Sequence, residues 1–172
     1  MFKKTFFFLC FFLFSFNSYS LDQVVIVDID YLLNNSKAGK NIQEQLKKIN
    51  DARIKEIRSK DKLFKDKEAK LIAQKKILSE QEFAKKVNDL KKEVINSNSL
   101  RKKEMEQSNK KRNDALSKLL KEINQLLIEY SKRTKISMML DKKNVIISKN
   151  ENDITKEILN LLDKKITKIK IN

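Results

Sequence analysis

The segment AQKKILSEQEFAKK, residues 73–86, carries the strongest local signal in the sequence. It lies within residues 38–133, which are rich in helix-forming residues and contain one Gly, Gly39, and no Pro. Inside the segment, Ser79 is followed three residues later by Glu82, the spacing of a capping box at a helix start. Either a second helix begins at Ser79, or Ser79 faces solvent within one continuous helix.

The apolar pattern on both sides of this segment favours two helices. Apolar residues recur every seven positions before it, at Ile57, Phe64, Leu71 and Leu78, and follow helical spacing after it, at Phe83, Val87, Leu90 and Val94. Such narrow stripes pack against one partner helix. A single helix of this length would be about 140 Å long and would bury its stripe only in an oligomeric rod. The sequence therefore predicts an antiparallel helical hairpin, here called the arm, over residues 38–133. Its tip is expected near 76–80, about 60–75 Å from the rest of the chain.

Short β-type segments flank the arm on both sides. Residues 24–30 predict a strand with Val25, Val27 and Ile29 on one face, followed by a short helix with Asp30 as its N-cap. Residues 136–140 and 144–147 predict a β-hairpin, and Asp153 is the predicted N-cap of a final amphipathic helix.

These flanks predict a small β-rich body, so the fold class is α+β, with the body formed by residues 21–37 and 134–172. The chain after residue 20 has only four aromatic residues, which is few for a monomeric core. We therefore expect the body to complete its core by association. The residues assigned to the association surface are Val25, Val27, Ile29, Met138, Leu140, Val145 and Ile147.

Residues 1–20 have the features of a secretory signal. Lys3 and Lys4 precede a run of apolar residues, and small residues stand at Ser18 and Ser20. The apolar run is shorter than the roughly 20 residues that a membrane span requires. We expect export and cleavage near Ser20.

The chemistry available after the signal is limited. Residues 21–172 contain no Cys, His, Trp or Pro, so they lack the usual zinc ligands, a disulfide and the commonest general base. Asp28 and Asp30 would lie on the same side of a strand, yet no nucleophile or Gly-rich loop accompanies them. The sequence predicts neither an enzyme nor a bound cofactor or metal.

Positive charge is concentrated in the arm. The formal net charge of the chain is +16, and residues 37–133 hold 28 Lys and Arg against 15 Asp and Glu. A basic surface of this size attracts acidic proteins, anionic lipid or nucleic acid, and export makes nucleic acid a poor candidate. The bias toward Lys, Asn and Ile also resembles that of an A/T-rich genome, so the sequence alone leaves open whether the charge reflects selection or genome composition.

Three stretches resemble the Skp/OmpH family of periplasmic chaperones: VVIVDIDYLLNNSKAGKNIQEQL at 24–46, ILSEQEFAKK at 77–86 and KISMMLDKKNVIISKNENDITKEILNLLDKKI at 135–166. The first contains Val27-Asp28 and Gly39-Lys40 at the family's spacing, and the last contains Asp153-Ile154-Thr155 where the final helix opens. The resemblance implies a homotrimer with three arms around a cavity that holds unfolded outer-membrane β-barrel proteins without nucleotide. It also implies a location in the periplasm.

The expected function is thus an ATP-independent holdase that prevents aggregation of unfolded outer-membrane proteins before their insertion. The client contacts expected on the arm are Phe64, Leu71, Phe83 and Met105. Lipopolysaccharide or another anionic lipid is a further possible partner. The alternative is a structural coiled-coil spacer of the cell envelope that binds no client, although a spacer has no need of the flanking β segments. A lipid-coating helical protein would need a broader apolar face than these stripes provide.

Overall fold

The computed structural model describes residues 23–171. Two long helices, α2 (Lys37–Ala73) and α3 (Glu80–Arg133), form an antiparallel hairpin with shorter elements on both sides. These shorter elements are β1 (Gln23–Val27), α1 (Ile29–Asn35), β2 (Ile136–Asp141) and α4 (Thr155–Lys165). The predicted α+β class with a long helical hairpin is confirmed. The signal predicted at residues 1–20 lies outside the described part of the chain.

The hairpin turns without a glycine or a proline. After α2, Gln74–Lys76 form a short 3-10 turn, and the backbone N–H of Leu78 donates to the carbonyl of Gln74 at 3.1 Å. Ser79 is then extended, and no residue between 23 and 171 has a positive φ. Ser79 Oγ accepts from the N–H of Glu82, whose carboxylate accepts from the N–H of Ser79, so both halves of a capping box are present.

The two arm helices pair at heptad spacing. Three polar contacts join them: Gln74 with Lys86, Lys67 with Glu93, and Asp61 with Arg101. The partners are separated by 12, 26 and 40 residues along the chain, an increment of 14 at each step. Each step therefore moves about seven residues along each helix, as in an antiparallel coiled coil.

The two strands form a parallel pair, with Val25 opposite Met139 and Val27 opposite Asp141. Parallel strands require a crossover connection, and here that connection includes the entire hairpin. The second strand of the predicted β-hairpin at 144–147 was wrong. The Asp141 carboxylate accepts from the N–H of Lys143 and opens a 3-10 turn at Lys142–Asn144, after which Ile146 and Ile147 are exposed and pair with no strand among residues 23–171.

The predicted cap of the first short helix was also wrong. β1 ends at Val27, and Asp28 rather than Asp30 caps α1, because Asp28 Oδ1 accepts from the N–H of Tyr31 at 2.7 Å. Asp30 lies in the first turn of α1, where a carboxylate favours the helix dipole. Ile29, expected in the strand, is the first residue of α1 and is half-buried.

Gly39 allows α1 and α2 to meet closely. A Cβ at this position would lie 2.0 Å from the backbone oxygen of Leu33 and 3.1 Å from Ser36 Oγ. Ser36 is buried and caps α2 by accepting from the N–H of Gly39. A side chain at residue 39 would therefore push α2 away from the end of α1.

The hydrophobic core lies at the root of the arm. It combines one residue of β1 with residues of α1, the start of α2, the end of α3, α4 and the segment after α4. The buried members are Val27, Leu32, Ala38, Ile42, Ala115, Leu119, Ile123, Leu126, Tyr130, Ile158, Leu162 and Ile169. Burying a large aliphatic side chain contributes about 1.5–3 kcal/mol, so this cluster is the main source of stability in the single chain.

Candidate functional site

The arm beyond its root contains no fully buried residue. From residue 43 to residue 114, all within the described part of the chain, every side chain is half-buried or exposed. Two helices alone can shield only the seam between them, so apolar side chains elsewhere on the arm stay in contact with solvent. This makes the arm an extended surface with apolar contact points along its length.

An open groove, here called the distal groove, runs between the two helices near the tip. Its volume is about 490 Å³ and its lining is mostly aliphatic and aromatic. The lining residues are Phe64, Lys65, Glu68, Leu71, Ile72, Phe83, Val87, Leu90, Lys91, Val94 and Ile95. The groove is therefore an apolar trough with Lys65 and Lys91 among its lining residues.

Large apolar side chains also lie off the seam, and we call them the off-seam residues. Ile77 lies in the turn, the others lie between the half-buried seam positions of the helices, and their exposure includes 63% for Ile72, 84% for Ile77 and 58% for Met105. The set is Ile54, Leu63, Ile72, Ile77, Ile95, Leu100 and Met105. Sequence reasoning missed all of these except Met105, although an isolated Ile or Leu that falls outside the heptad stripe is a readable signal.

The predicted contact residues do not form one cluster. Phe64, Leu71 and Phe83 come together in the distal groove, where each is half-buried against the opposite helix. Met105 lies farther along α3 toward the body, is exposed, and is not part of the groove. The aromatic residues thus pack the hairpin, while much of the free apolar surface nearby belongs to Ile72, Ile77 and Ile95.

The cations of the arm are mostly free of acidic partners. Across residues 37–133, which the structure describes throughout, Lys60, Lys67 and Arg101 form ion pairs. The hydrogen bond and charge of Lys60 lower the pKa of Glu56, and hydrogen bonds from Ser79 lower the pKa of Glu82. Glu56 and Glu82 thus already have partners within the arm, and the excess Lys side chains present their charge to solvent. Their apolar stems can lie over apolar surface while the charged heads stay in water.

The body carries a second apolar surface. Met138 and Leu140 of β2 are 53% and 38% exposed, and Ile146 and Ile147 beyond it are 102% and 90% exposed. The other residues assigned to association differ, because Val25 and Val27 are buried in the single chain and Val145 is half-buried. Only part of the predicted association surface is therefore available on one chain.

Polar side chains cluster in the body where Lys142, after β2, meets Asp153 and Thr155 at the start of α4. The prediction that Asp153 is the N-cap of α4 was wrong by one residue, because Ile154 stands at that position and makes no side-chain cap hydrogen bond. The Asp153 carboxylate, one residue earlier, accepts from the N–H of Thr155 at 3.0 Å and from Lys142 Nζ at 2.7 Å. Burial by itself would raise the pKa of Asp153, but these hydrogen bonds and the Lys142 charge outweigh it and lower the pKa to about 2. The hydrogen bond to Asp153 and the charge of Asp153 in turn raise the pKa of Lys142.

Neither a metal centre nor a membrane-spanning helix is found in residues 23–171. No group of three or more His, Cys, Asp or Glu side chains gathers there in a way that could hold an ion. None of the helices in that range has the length and apolar character needed to cross a bilayer.

The sequence that forms this architecture matches a known protein family. The sequence model of the family described as "Outer membrane protein (OmpH-like)" matches residues 23–162. The chain belongs to the OmpH-like family. The OmpH-like match takes in both strands, the whole arm and most of α4, and stops before the residues that follow α4.

A solved structure shares the fold of this OmpH-like chain. It is a crystal structure from Caulobacter crescentus CB15, described as a "putative outer membrane chaperone (OmpH-like)", with a TM-score of 0.83 at 20% sequence identity. The match covers 89% of this chain and 90% of that one. No curated protein matches the sequence.

Proposed function

We propose that this OmpH-like protein is an ATP-independent holdase chaperone of the periplasm, which binds unfolded outer-membrane β-barrel proteins and keeps them from aggregating. The observation that carries the proposal is the arm beyond its root, residues 43–114, which exposes large apolar side chains among Lys residues and contains no fully buried side chain. Family membership and the described role of the similar Caulobacter structure support the same function.

Weak contacts at many points suit the task of holding an unfolded chain. A half-exposed Ile that is covered by a client contributes about 1 kcal/mol, too little to fix the client in one conformation. Several such contacts along one arm, and on neighbouring arms, add up because the later contacts are intramolecular. Release then requires no nucleotide, since a client leaves when a better environment becomes available.

The basic arm complements acidic clients. The excess of 28 Lys and Arg over 15 Asp and Glu in residues 37–133 attracts a negatively charged chain over about a Debye length, roughly 8–10 Å at ordinary salt. Attraction speeds the encounter, and the off-seam residues retain the client afterwards. Anionic lipid headgroups would be drawn to the same charges.

We propose that the working form is a homotrimer joined through the body. The exposed residues Met138, Leu140, Ile146 and Ile147 form an apolar surface that a small exported protein would have to cover. Three arms placed around a cavity would let one client touch several distal grooves at once. The signal expected at residues 1–20 would deliver the chain to the periplasm.

An aggregation assay tests the holdase function directly. A urea-unfolded, acidic β-barrel protein is diluted into buffer with the protein lacking residues 1–20, over a range of salt concentrations. We expect light scattering to be suppressed near one trimer per client and suppression to weaken as salt rises. No suppression at any ratio would contradict the proposal and favour the envelope spacer.

A matched pair of variants tests the surface. Replacing Ile72, Ile77 and Ile95 by Ser removes exposed apolar groups near the tip, and we expect the ratio needed for suppression to rise several-fold. The control replaces the exposed Asn88, Asn98 and Asn109 by Ser and should leave the ratio unchanged. Equal ratios for the two variants would show that the off-seam residues do not contact clients.

A further inference from the structure

The segment that follows α4 lies against the root of the arm. Residues 166–171, here called the strap, follow Lys165 without forming a helix or strand, with Ile166 extended and a bend at Thr167. The OmpH-like match ends at residue 162, so the strap lies beyond the part of the chain that the family model covers.

A single side-chain amide of α2 holds the strap by both of its polar atoms. Gln45 Nε2 donates to the carbonyl of Ile169 at 2.7 Å, and the backbone N–H of Ile171 donates to Gln45 Oε1 at 3.2 Å. Asn41, one turn earlier, accepts from Gln45 Nε2 at 2.8 Å and so fixes the amide orientation. Gln45 thus pairs with the strap backbone in the way that a neighbouring strand would.

A second attachment lies two turns earlier on α2. The Asp163 carboxylate, near the end of α4, accepts from the backbone N–H of Lys37 at 2.7 Å, in the first turn of α2. That N–H has no partner within its own helix, so Asp163 acts as a cap supplied from another element. Lys165 lies 3.7 Å from Glu122 and 3.6 Å from Glu129, which connects the same region to α3.

Apolar burial supports these polar contacts. Ile169 is 7% exposed and belongs to the central core, while Ile166 and Ile171 pack against that core half-buried. Lys168 and Lys170, between them, are exposed. From Lys168 onward the strap therefore alternates between solvated Lys and buried or half-buried Ile where it contacts α2 at Gln45.

We propose that the strap is a clamp that ties the root of α2 to the body and thereby fixes the direction in which the arm leaves it. Asp163 of α4 holds α2 at Lys37, the strap holds it two turns later at Gln45, and Ile169 packs the strap into the core. A rod held at two points cannot pivot about either of them. This inference does not depend on client binding.

Amide hydrogen exchange on the Gln45→Ala variant tests the clamp. Two hydrogen bonds to the strap are lost, so we expect the Ile171 amide to lose its protection and amides 38–46 to exchange about tenfold faster. The matched control is Gln43→Ala, which lies on the same helix and bonds only to Asn34. Unchanged exchange at both places in Gln45→Ala, or an equal rise in Gln43→Ala, would overturn the proposal.

Truncation of the chain after Lys165 removes the strap and tests the clamp in a second way. With the helical circular dichroism of the arm retained, a spin label near the tip should report a broader distribution of distances to the body than in the full-length protein. A distribution of unchanged width would overturn the claim that the strap sets the arm direction. If the truncated protein does not fold, the Gln45→Ala result alone decides.

Discussion

Gly39 is the only glycine of the sequence, and it lies where α2 packs against the end of α1. Its backbone is not strained, since no described residue has a positive φ. The requirement is steric, because the space that a Cβ would fill is taken by the carbonyl of Leu33. Single residues of this kind determine how the body elements fit together.

The variant Gly39→Ala should destabilise the protein by about 2–3 kcal/mol, since backbone atoms have to move to admit the methyl group. Urea unfolding followed by circular dichroism measures the change. The control is Ala69→Gly on the exposed part of α2, which should cost about 1 kcal/mol from helix propensity alone. If Gly39→Ala were instead more stable than the parent, the close approach of α1 and α2 would be wrong.

Asp153 makes stability depend on pH in the acid range. Its folded pKa of about 2 lies below the ordinary value of 3.8, so the carboxylate stabilises the protein above pH 4 and this contribution is lost as pH falls toward 2. We expect Asp153→Asn to cost up to about 2 kcal/mol at pH 7 and to flatten the stability profile between pH 4 and 2. The control Glu151→Gln, at a neighbouring exposed position, should change neither the stability at pH 7 nor its pH dependence. Parallel stability profiles for Asp153→Asn and the parent would show that Asp153 does not cause the pH dependence.

The seam of α3 changes character along its length. Its half-buried positions between residues 90 and 108 are Leu90, Val94, Ser97, Arg101, Glu104 and Ser108. Within the described residues, Ser97 Oγ, Arg101 Nε and Arg53 Nη1 are buried without a hydrogen-bond partner. The arm is therefore packed by apolar side chains at its root and near its tip, and by less satisfied polar groups between.

We predict that amides in residues 96–115 exchange faster than those in residues 116–130, because the polar section buries little apolar surface per turn. Hydrogen exchange with mass spectrometry measures both segments in one experiment. A Ser97→Leu variant, which extends the apolar seam by one position, should slow exchange in the first segment only. Equal protection of the two segments would contradict the weaker packing expected for residues 96–115.

The arm was predictable because its signals are local. The Ser79–Glu82 capping spacing and the seven-residue apolar series lie within the helices they specify. The pairing of β1 with β2 was not, since the partner of Val25 is Met139 and no local pattern distinguishes a parallel partner so distant from an adjacent hairpin strand. The cap at Asp28 was missed for a related reason, because both Asp28 and Asp30 suit a helix start.

The site was predictable in part. The sequence places Phe64, Leu71 and Phe83 near one another, and the structure brings them into the distal groove. The off-seam residues could have been found as apolar residues outside the heptad stripe, but how far each stays exposed depends on the rotation of each helix about its axis. Only the structure therefore shows how strongly Ile72, Ile77 and Ile95 are exposed.

Across residues 23–171 the small body leaves large apolar side chains exposed, and this leads to a prediction about the mass of the protein in solution. Exposed Ile146 and Ile147, together with Met138, would be unfavourable in an isolated exported protein. Light scattering on the protein lacking residues 1–20 should give about three times the mass of one chain. Ile147→Asp should lower that mass, whereas Lys149→Asp, an exposed neighbour, should not; a monomer at micromolar concentration for the parent would contradict the trimer.

The parallel pairing of β1 and β2 also sets an order of events in time. During synthesis, β1 is complete more than one hundred residues before its partner strand exists, and closing so long a flexible loop is entropically unfavourable. We expect the hairpin in between to fold first, from the turn near Ser79 outward, because its contacts are closer in sequence, and so to bring the two flanking segments of the body together. Formation of the arm would thus bring the two flanking segments of the chain together. A substitution that weakens the turn near Ser79 should therefore delay pairing of β1 with β2.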